Sequence, residues 1–162
     1  MKRKLTFDPE FKPISYTGDR EREFFPNGIF LFDITALDEH IRSHQDEFVV
    51  TDVEVDRYYT DDCVMGVKEL KEEHIEAADL NRPIIFVEIA PDRLEKLTDS
   101  NRDNLFMRGY NLIDGHHRIA KAHRLGHKTL KAYIVRMEQH LPYMLEGYKE
   151  YVGYWNEKLK DF

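Results

Sequence analysis

Residues 110–126 of the chain read YNLIDGHHRIAKAHRLG, and they predict a strand, a tight turn and a helix in direct succession. The strand ends near Ile113, and Asp114-Gly115 is typical of a turn. The helix carries apolar residues at helical spacing, and Gly126 is typical of the position just after a helix end. Since no linker separates the strand from the helix, the turn fixes where the helix begins.

The predicted helix start has the properties of an anion site. The first N–H groups of a helix have no intrahelical acceptor, and the helix dipole adds about half a positive charge there. Gly115 has no Cβ that would keep an anion away from the backbone. A cation in the first turn disfavours a helix by about 0.3–1 kcal/mol, a cost that a bound anion would offset. We therefore expect a phosphate group to be bound by Asp114, Gly115, His116, His117, Arg118 and Lys121, with capping of the helix as the alternative role of Asp114.

The segment Ile113-Asp114-Gly115-His116-His117-Arg118 resembles the Gly-x-x-Arg box of ParB N-terminal domains and the Gly-Gly-Cys-His-Arg box of sulfiredoxins. The strands predicted at 29–33 and after Arg82 match these families in order, so the resemblance covers residues 28–137. It implies an α+β fold with a small mixed sheet flanked by helices, and it implies binding of nucleotide phosphates at the turn. The Asp-Gly-His-His-Arg version is also similar to that of small free-serine kinases, which transfer a nucleotide phosphoryl group to a hydroxyl.

Two departures limit the resemblance. His116 stands where sulfiredoxins have their catalytic cysteine, and Cys63 matches nothing in that motif, so we expect Cys63 to be dispensable. ParB continues into a helix-turn-helix region and a dimerisation region, whereas here one predicted helix follows the last strand. Centromere binding is therefore not expected.

The resemblance implies phosphoryl transfer from a nucleotide to a small hydroxyl substrate, or nucleotide hydrolysis. In this interpretation His116 and His117 stabilise charge on the transferred group, and Glu39 or Asp38 is the general base. The expected cofactor is ATP, ADP or CTP with Mg²⁺. Two alternatives stay open: a non-enzymatic module that senses nucleotides or binds a protein, and a nuclease-like protein that acts on nucleic acid.

The histidines near the turn do not predict a metal site held by protein ligands alone. His116 and His123 are seven residues apart, about 10 Å along a helix, and Gly126 separates His127 from the helix. The pair Asp61-Asp62 next to Cys63 predicts a solvated turn.

Composition and charge restrict the function classes. With 41% hydrophobic and 34% charged residues among 162, the chain is typical of one water-soluble globular domain, and no apolar run reaches the roughly 20 residues that span a bilayer. The net charge of −7 argues against strong binding to nucleic acid, although basic residues and no acidic ones occupy 115–137. A single cysteine, and a basic N-terminus without an apolar core after it, favour a cytoplasmic location with no secretory signal.

The rest of the chain predicts a mixture of strands and helices without repeats. We expect an N-terminal arm at 1–27, the main domain at 28–137 and a C-terminal helix packed on it at 138–162. Strands are expected at 29–33, 48–55, 84–89, 105–113 and 132–136, the fourth of them interrupted at Gly109 by a hairpin or bulge. Helices are expected at 35–44 (with Thr35 and Asp38 as a capping box), 66–79, 91–97, 116–125 and 141–159. This irregular order predicts a single α+β domain. The oligomeric state is left open.

Overall fold

The computed structural model describes four stretches of the chain, residues 3–26, 28–66, 69–93 and 103–161. The chain divides into two compact units, and both are discontinuous in sequence. The first unit consists of Met1–Glu47, Val87–Asn111 and Val135–Phe162, and the second consists of Phe48–Phe86 and Leu112–Ile134.

Short strands and helices alternate irregularly along the described chain. The strands are β1 (Phe24–Pro26), β2 (Leu31–Asp33), β3 (Val49–Glu54), β4 (Ile84–Glu88), β5 (Tyr110–Asp114), β6 (Thr129–Val135) and β7 (Met144–Glu146). The helices are α1 (Ile34–Ser43), α2 (Val55–Tyr58), α3 (Glu72–Ala77), α4 (His116–Arg124), α5 (Met137–His140) and α6 (Tyr148–Leu159). The strands form sheets with the orders β1-β2-β7 and β3-β6-β4-β5. Small sheets accompanied by helices confirm the predicted α+β class.

The sheet of the first unit is antiparallel throughout. In it, Phe25 lies opposite Phe32, and Phe32 lies opposite Met144. Phe32 and Met144 are fully buried, as are Tyr151 and Trp155 of α6. The predicted C-terminal helix therefore contributes Tyr151, Val152 and Trp155 to the core of this unit.

The second unit places β4, β5 and α4 so that the predicted turn lies between buried elements. β3 and β6 pair in antiparallel register from Val49 opposite Ile134 to Glu54 opposite Thr129. α4 buries Ile119, Ala120 and Ala122. Gly115 and His116, at the start of the helix, are buried as well.

Several predicted elements are confirmed with small shifts. The strands expected at 48–55 and 84–89 are β3 and β4, and the helix after the turn runs from His116 to Arg124. The helix expected at 35–44 is α1, but its cap is Asp33, whose carboxylate accepts a hydrogen bond from the Ala36 N–H at 3.1 Å. The predicted capping box with Thr35 was wrong because the Thr35 hydroxyl instead accepts from the Glu23 N–H at 2.7 Å.

Three predicted elements were wrong in extent. The helix expected at 66–79 is reduced to α3 because Lys71 and Ala78 have extended backbones on either side of it. β5 begins at Tyr110 rather than Leu105, since Gly109 has a φ of +96° and a Cβ there would overlap the Ala90 carbonyl.

The helix expected at 141–159 begins at Tyr148 because Gly147 is left-handed, with a φ of +86°, and β7 precedes it. The helix expected at 91–97 lies mostly outside the described residues. No helix in the described part of the chain is both long and apolar enough to cross a membrane.

Candidate phosphate-binding turn

Gly115 links β5 to α4 in a conformation that requires glycine. Its φ is +125°, and it is the N-cap of α4. A Cβ at this position would overlap the Ile84 side chain. The turn therefore needs glycine at this position because it packs closely against β4, in addition to the access that glycine gives to a ligand.

The first turn of α4 contains two histidines and an arginine. Its side chains are His116, His117 and Arg118, and it contains no acidic residue. Because the N-cap is Gly115 rather than Asp114, no N-cap side chain competes with an anion for the first N–H groups of the helix. The predicted capping role of Asp114 is therefore not observed.

Arg118 points into the protein. Its side chain is 7% exposed, and Nη1 donates to the carbonyls of Arg82 and Pro83 at 3.0 and 2.7 Å. Nη2 lies 3.0 Å from Asp114 Oδ2. These contacts fasten the first turn of α4 to the chain just before β4 and to the end of β5.

Arg82 is the second guanidinium at the turn, and it was missed as a site residue. Its Nη2 lies 3.5 Å from Asp114 Oδ2, and its side chain is 35% exposed. Arg82 directly precedes Pro83 and the predicted strand β4, so its place near a strand end was visible in the sequence. The position of Arg82 beside Asp114, however, depends on the pairing of elements distant in sequence.

The two histidines of the turn have different surroundings. His116 is buried, and its carbonyl accepts from the Cys63 thiol at 3.5 Å. His117 is half-buried, and its Nε2 accepts from the Lys71 N–H at 3.3 Å. The His117 ring meets the His74 ring edge to face at 5.2 Å. His117 is thus the more exposed of the two imidazoles.

Lys121 is engaged at the end of another helix. Its ammonium donates to the carbonyls of Glu76 and Ala78, both at 2.8 Å. These carbonyls belong to the last turn of α3 and its C-cap, where a cation is favourable. Lys121 therefore has a structural role that its sequence position did not indicate.

The predicted general bases belong to the first unit, whereas the turn belongs to the second. Asp38 is buried and pairs with Arg20 at 3.0 Å and Arg42 at 3.1 Å. Glu39 accepts from the Tyr16 hydroxyl at 3.1 Å and lies 3.8 Å from Arg20. Each carboxylate has cationic partners within its own unit, and the assignment of either as a base stays a prediction.

A carboxylate of the second unit has an unusual environment. Asp62 lies in a π-helical segment, Tyr59–Val64, and is half-buried, so the predicted solvated turn at Asp61-Asp62 was wrong. Burial, together with the neighbouring Asp61 charge, raises the pKa of Asp62 to about 6. The next residue is Cys63, whose thiol contacts His116. π-helical turns are frequent at functional sites.

Comparison with protein-family models, with curated proteins and with solved structures finds no match to this chain. The resemblance to ParB domains and sulfiredoxins accordingly stays a prediction from the residues of the turn.

Proposed function

We propose that the turn at Gly115 binds the phosphate group of a nucleotide in a phosphoryl-transfer or nucleotide-hydrolysis reaction. The observation that carries the proposal is the junction of β5 and α4, where a glycine with positive φ opens a helix whose first turn contains two histidines and an arginine and has no capping side chain. Helix starts of this kind bind anions through their N–H groups and dipole. A cytoplasmic location, predicted from the sequence, belongs to the same proposal.

The contacts of the turn divide its residues into two groups. Arg82 and His117, which are partly exposed, contact the phosphate together with the backbone of the first turn of α4. Arg118 and Asp114 hold the turn in place through their ion pair. The buried His116 lines the base of the turn.

Asp62 is the carboxylate best suited to accept a proton from a hydroxyl substrate. A pKa raised to about 6 matches a base that works near neutral pH. Its neighbour Cys63 contacts the carbonyl of His116, and His116 opens α4. Asp38 and Glu39 fit this role less well because both have arginine partners in the first unit.

Mg²⁺ fits this arrangement only as a companion of the nucleotide. Asp114, the carboxylate at the turn itself, already pairs with Arg118 and faces Arg82. Mg²⁺ usually keeps several waters and takes one or two carboxylates plus substrate phosphates. When bound, the ion would neutralise phosphate charge.

A nucleotide sensor without turnover is the second candidate. It is favoured by the ion pairs of Asp38 and Glu39, which leave the predicted bases engaged within the first unit. The nuclease-like alternative is weakened because two exposed cations of the basic stretch 115–137, Arg124 and Lys131, pair with Glu72 and Asp52.

Nucleotide binding measured by calorimetry, with and without Mg²⁺, tests the proposal. ATP, ADP and CTP are titrated into the wild type and into Arg82→Gln, His117→Gln and Arg124→Gln. We expect the first two substitutions to weaken binding by about 1.5–3 kcal/mol, the range for a hydrogen bond to a charged group. Arg124→Gln is the matched control, since Arg124 is at the opposite end of α4.

Equal affinity in the wild type, Arg82→Gln and His117→Gln would contradict the phosphate site. Binding without release of phosphate or phosphorylated product would favour the sensor over the enzyme. In the enzyme, Asp62→Asn should lower turnover while leaving nucleotide affinity nearly unchanged.

A further inference from the structure

The end of α1 and the turn after it bring two histidines and a glutamate together. His40 lies in the last turns of α1, His44 is its C-cap, and Glu47 closes the 3₁₀ turn Gln45–Glu47. One ligand atom from each of the three side chains lies within 4.8 Å of the other two. Histidines four residues apart share one face of a helix.

One of the three spacings between these atoms is close to that of a tetrahedral metal site. His40 Nε2 and Glu47 Oε2 are 3.6 Å apart. Zinc bonds of about 2.0–2.1 Å at tetrahedral angles place two ligand atoms roughly 3.3 Å apart. His44 and Glu47 are exposed and His40 is half-buried, so the cluster is accessible from solvent.

A hydrogen bond fixes the tautomer of His44 in the form that a metal needs. Its Nδ1 lies 3.0 Å from the His40 carbonyl. Since a carbonyl can only accept, Nδ1 carries the proton in the neutral ring and Nε2 has the lone pair. Metal-bound histidines commonly donate their other ring N–H to a carbonyl in this way. The His40 and His44 rings stack with centroids 4.2 Å apart and an interplanar angle of 22°, so they must rotate relative to one another for both lone pairs to point at one ion.

The backbone N–H and the backbone carbonyl of Glu47 are both hydrogen-bonded. Its N–H donates to the His44 carbonyl at 2.9 Å, and its carbonyl accepts from the Gln139 amide at 2.8 Å. The carboxylate therefore extends from a fixed position beside the two rings.

We propose that His40, His44 and Glu47 bind a Zn²⁺ ion, with water in the fourth position. Two imidazole nitrogens and one carboxylate oxygen suit this borderline ion, whereas Mg²⁺ and Ca²⁺ prefer oxygen ligands only. The site lies wholly in the first unit and is independent of the proposed nucleotide function.

Zinc titration of the full chain by calorimetry tests this site. We expect one saturable Zn²⁺ per chain, unaffected by excess Mg²⁺. His40→Ala, His44→Ala and Glu47→Gln should each weaken binding by about tenfold or more, since even the loss of an outer partner of a ligand costs that much. The control His127→Ala removes an exposed histidine of the second unit and should leave the affinity unchanged.

Circular dichroism checks that each variant is folded, and Glu47→Gln covers the case in which a histidine substitution disturbs α1. The proposal is overturned if no saturable binding is found, if the double variant His40→Ala/His44→Ala binds as the wild type does, or if His127→Ala loses as much affinity as the site variants.

Discussion

Glu88 in the first unit and Asp114 in the second are each held by two arginines, but their surroundings differ. Glu88 is fully buried, and Arg3 donates to both of its oxygens, at 2.8 and 2.7 Å. Arg136 donates to Oε1 at 3.0 Å, and the N–H groups of Met137 and Asp92 also donate to the carboxylate. The hydrogen-bonding capacity of Glu88 is used within the protein.

The Asp114 cluster is more open. Its carboxylate is 14% exposed, Arg118 is buried, and Arg82 keeps a third of its side chain accessible. The adjacent helix start has no side-chain cap. The same pairing of a carboxylate with two arginines therefore has two uses. At Glu88, all acceptor positions are filled by donors of the protein, and the cluster contributes to stability. At Asp114, a guanidinium and backbone N–H groups remain accessible, and the cluster can contribute to ligand binding.

The largest effect is expected from Glu88→Gln, which leaves Arg3 and Arg136 without their common anion. Removing one partner of a buried ion pair costs about 3–5 kcal/mol. We expect about 3 kcal/mol, the lower end, because both arginines are partly exposed and can be hydrated. Urea denaturation measures the loss. The matched control is Glu138→Gln, which also removes a partner of Arg3 but at a half-exposed position, so it should cost less than about 1 kcal/mol.

Similar losses of unfolding free energy in Glu88→Gln and Glu138→Gln would contradict the larger contribution expected from the buried carboxylate.

Acid should destabilise the same cluster through His140. Burial lowers the pKa of His140 to about 4, although its Nε2–H donates to the Glu88 carbonyl at 2.6 Å. The folded state therefore holds a neutral ring, while the unfolded chain protonates below about 6.5. As pH falls from 6.5 to 4, the unfolded state binds more protons, and the free energy of unfolding drops by about 3 kcal/mol.

Denaturation at several pH values measures this slope. His140→Gln should be less stable at pH 7 but flatter between pH 6.5 and 4.5, whereas His127→Gln should keep the wild-type slope. An unchanged slope in His140→Gln would show that other groups take up the protons.

The Glu88 carboxylate affects the free energy of unfolding at lower pH than His140 does. Burial opposes its ionisation, but the hydrogen bonds from Arg3 and Met137 and the Arg136 charge outweigh burial and hold its pKa below the ordinary 4.5. The stability it supplies is present above 4.5 and is lost as pH falls through the lower folded value.

Arg118→Gln separates positioning from binding at the open cluster. It removes the hydrogen bonds to the Arg82 and Pro83 carbonyls and the ion pair with Asp114. We expect a loss of about 2 kcal/mol in unfolding free energy, against less than about 1 kcal/mol for the exposed Arg124→Gln on the same helix. Folded Arg118→Gln protein should lose less nucleotide affinity than Arg82→Gln protein does. A variant that keeps its stability but loses more affinity than Arg82→Gln would place Arg118 on the phosphate itself.

The sequence was sufficient for features that depend on neighbours along the chain. The turn at Gly115, the start of α4 and the buried strand β4 follow from turn chemistry and apolar runs. The proposed zinc ligands His40 and His44 are equally local, since they have helical spacing, but no ligand role was predicted for them from the sequence.

Features that depend on distant pairing were not predictable from the sequence. The inward direction of Arg118 is set by carbonyls at 82 and 83, and the Glu88 cluster joins residues 3, 88 and 136. Asp33 replaced Thr35 as the cap of α1 because Glu23 occupies the Thr35 hydroxyl. Periodicity within one segment contains no information on these partners.

The smallest effect is expected from Cys63→Ser, which tests whether the open cluster includes the thiol. The thiol donates to the His116 carbonyl at 3.5 Å, and a serine hydroxyl can donate to the same oxygen. We therefore expect unfolding free energy within about 0.5 kcal/mol of the wild type, and unchanged nucleotide affinity. Calorimetry and urea denaturation of the same preparation measure both. A folded Cys63→Ser variant that no longer binds or turns over nucleotide would place the thiol at the reacting atoms. That result would favour reductase-like chemistry at the turn.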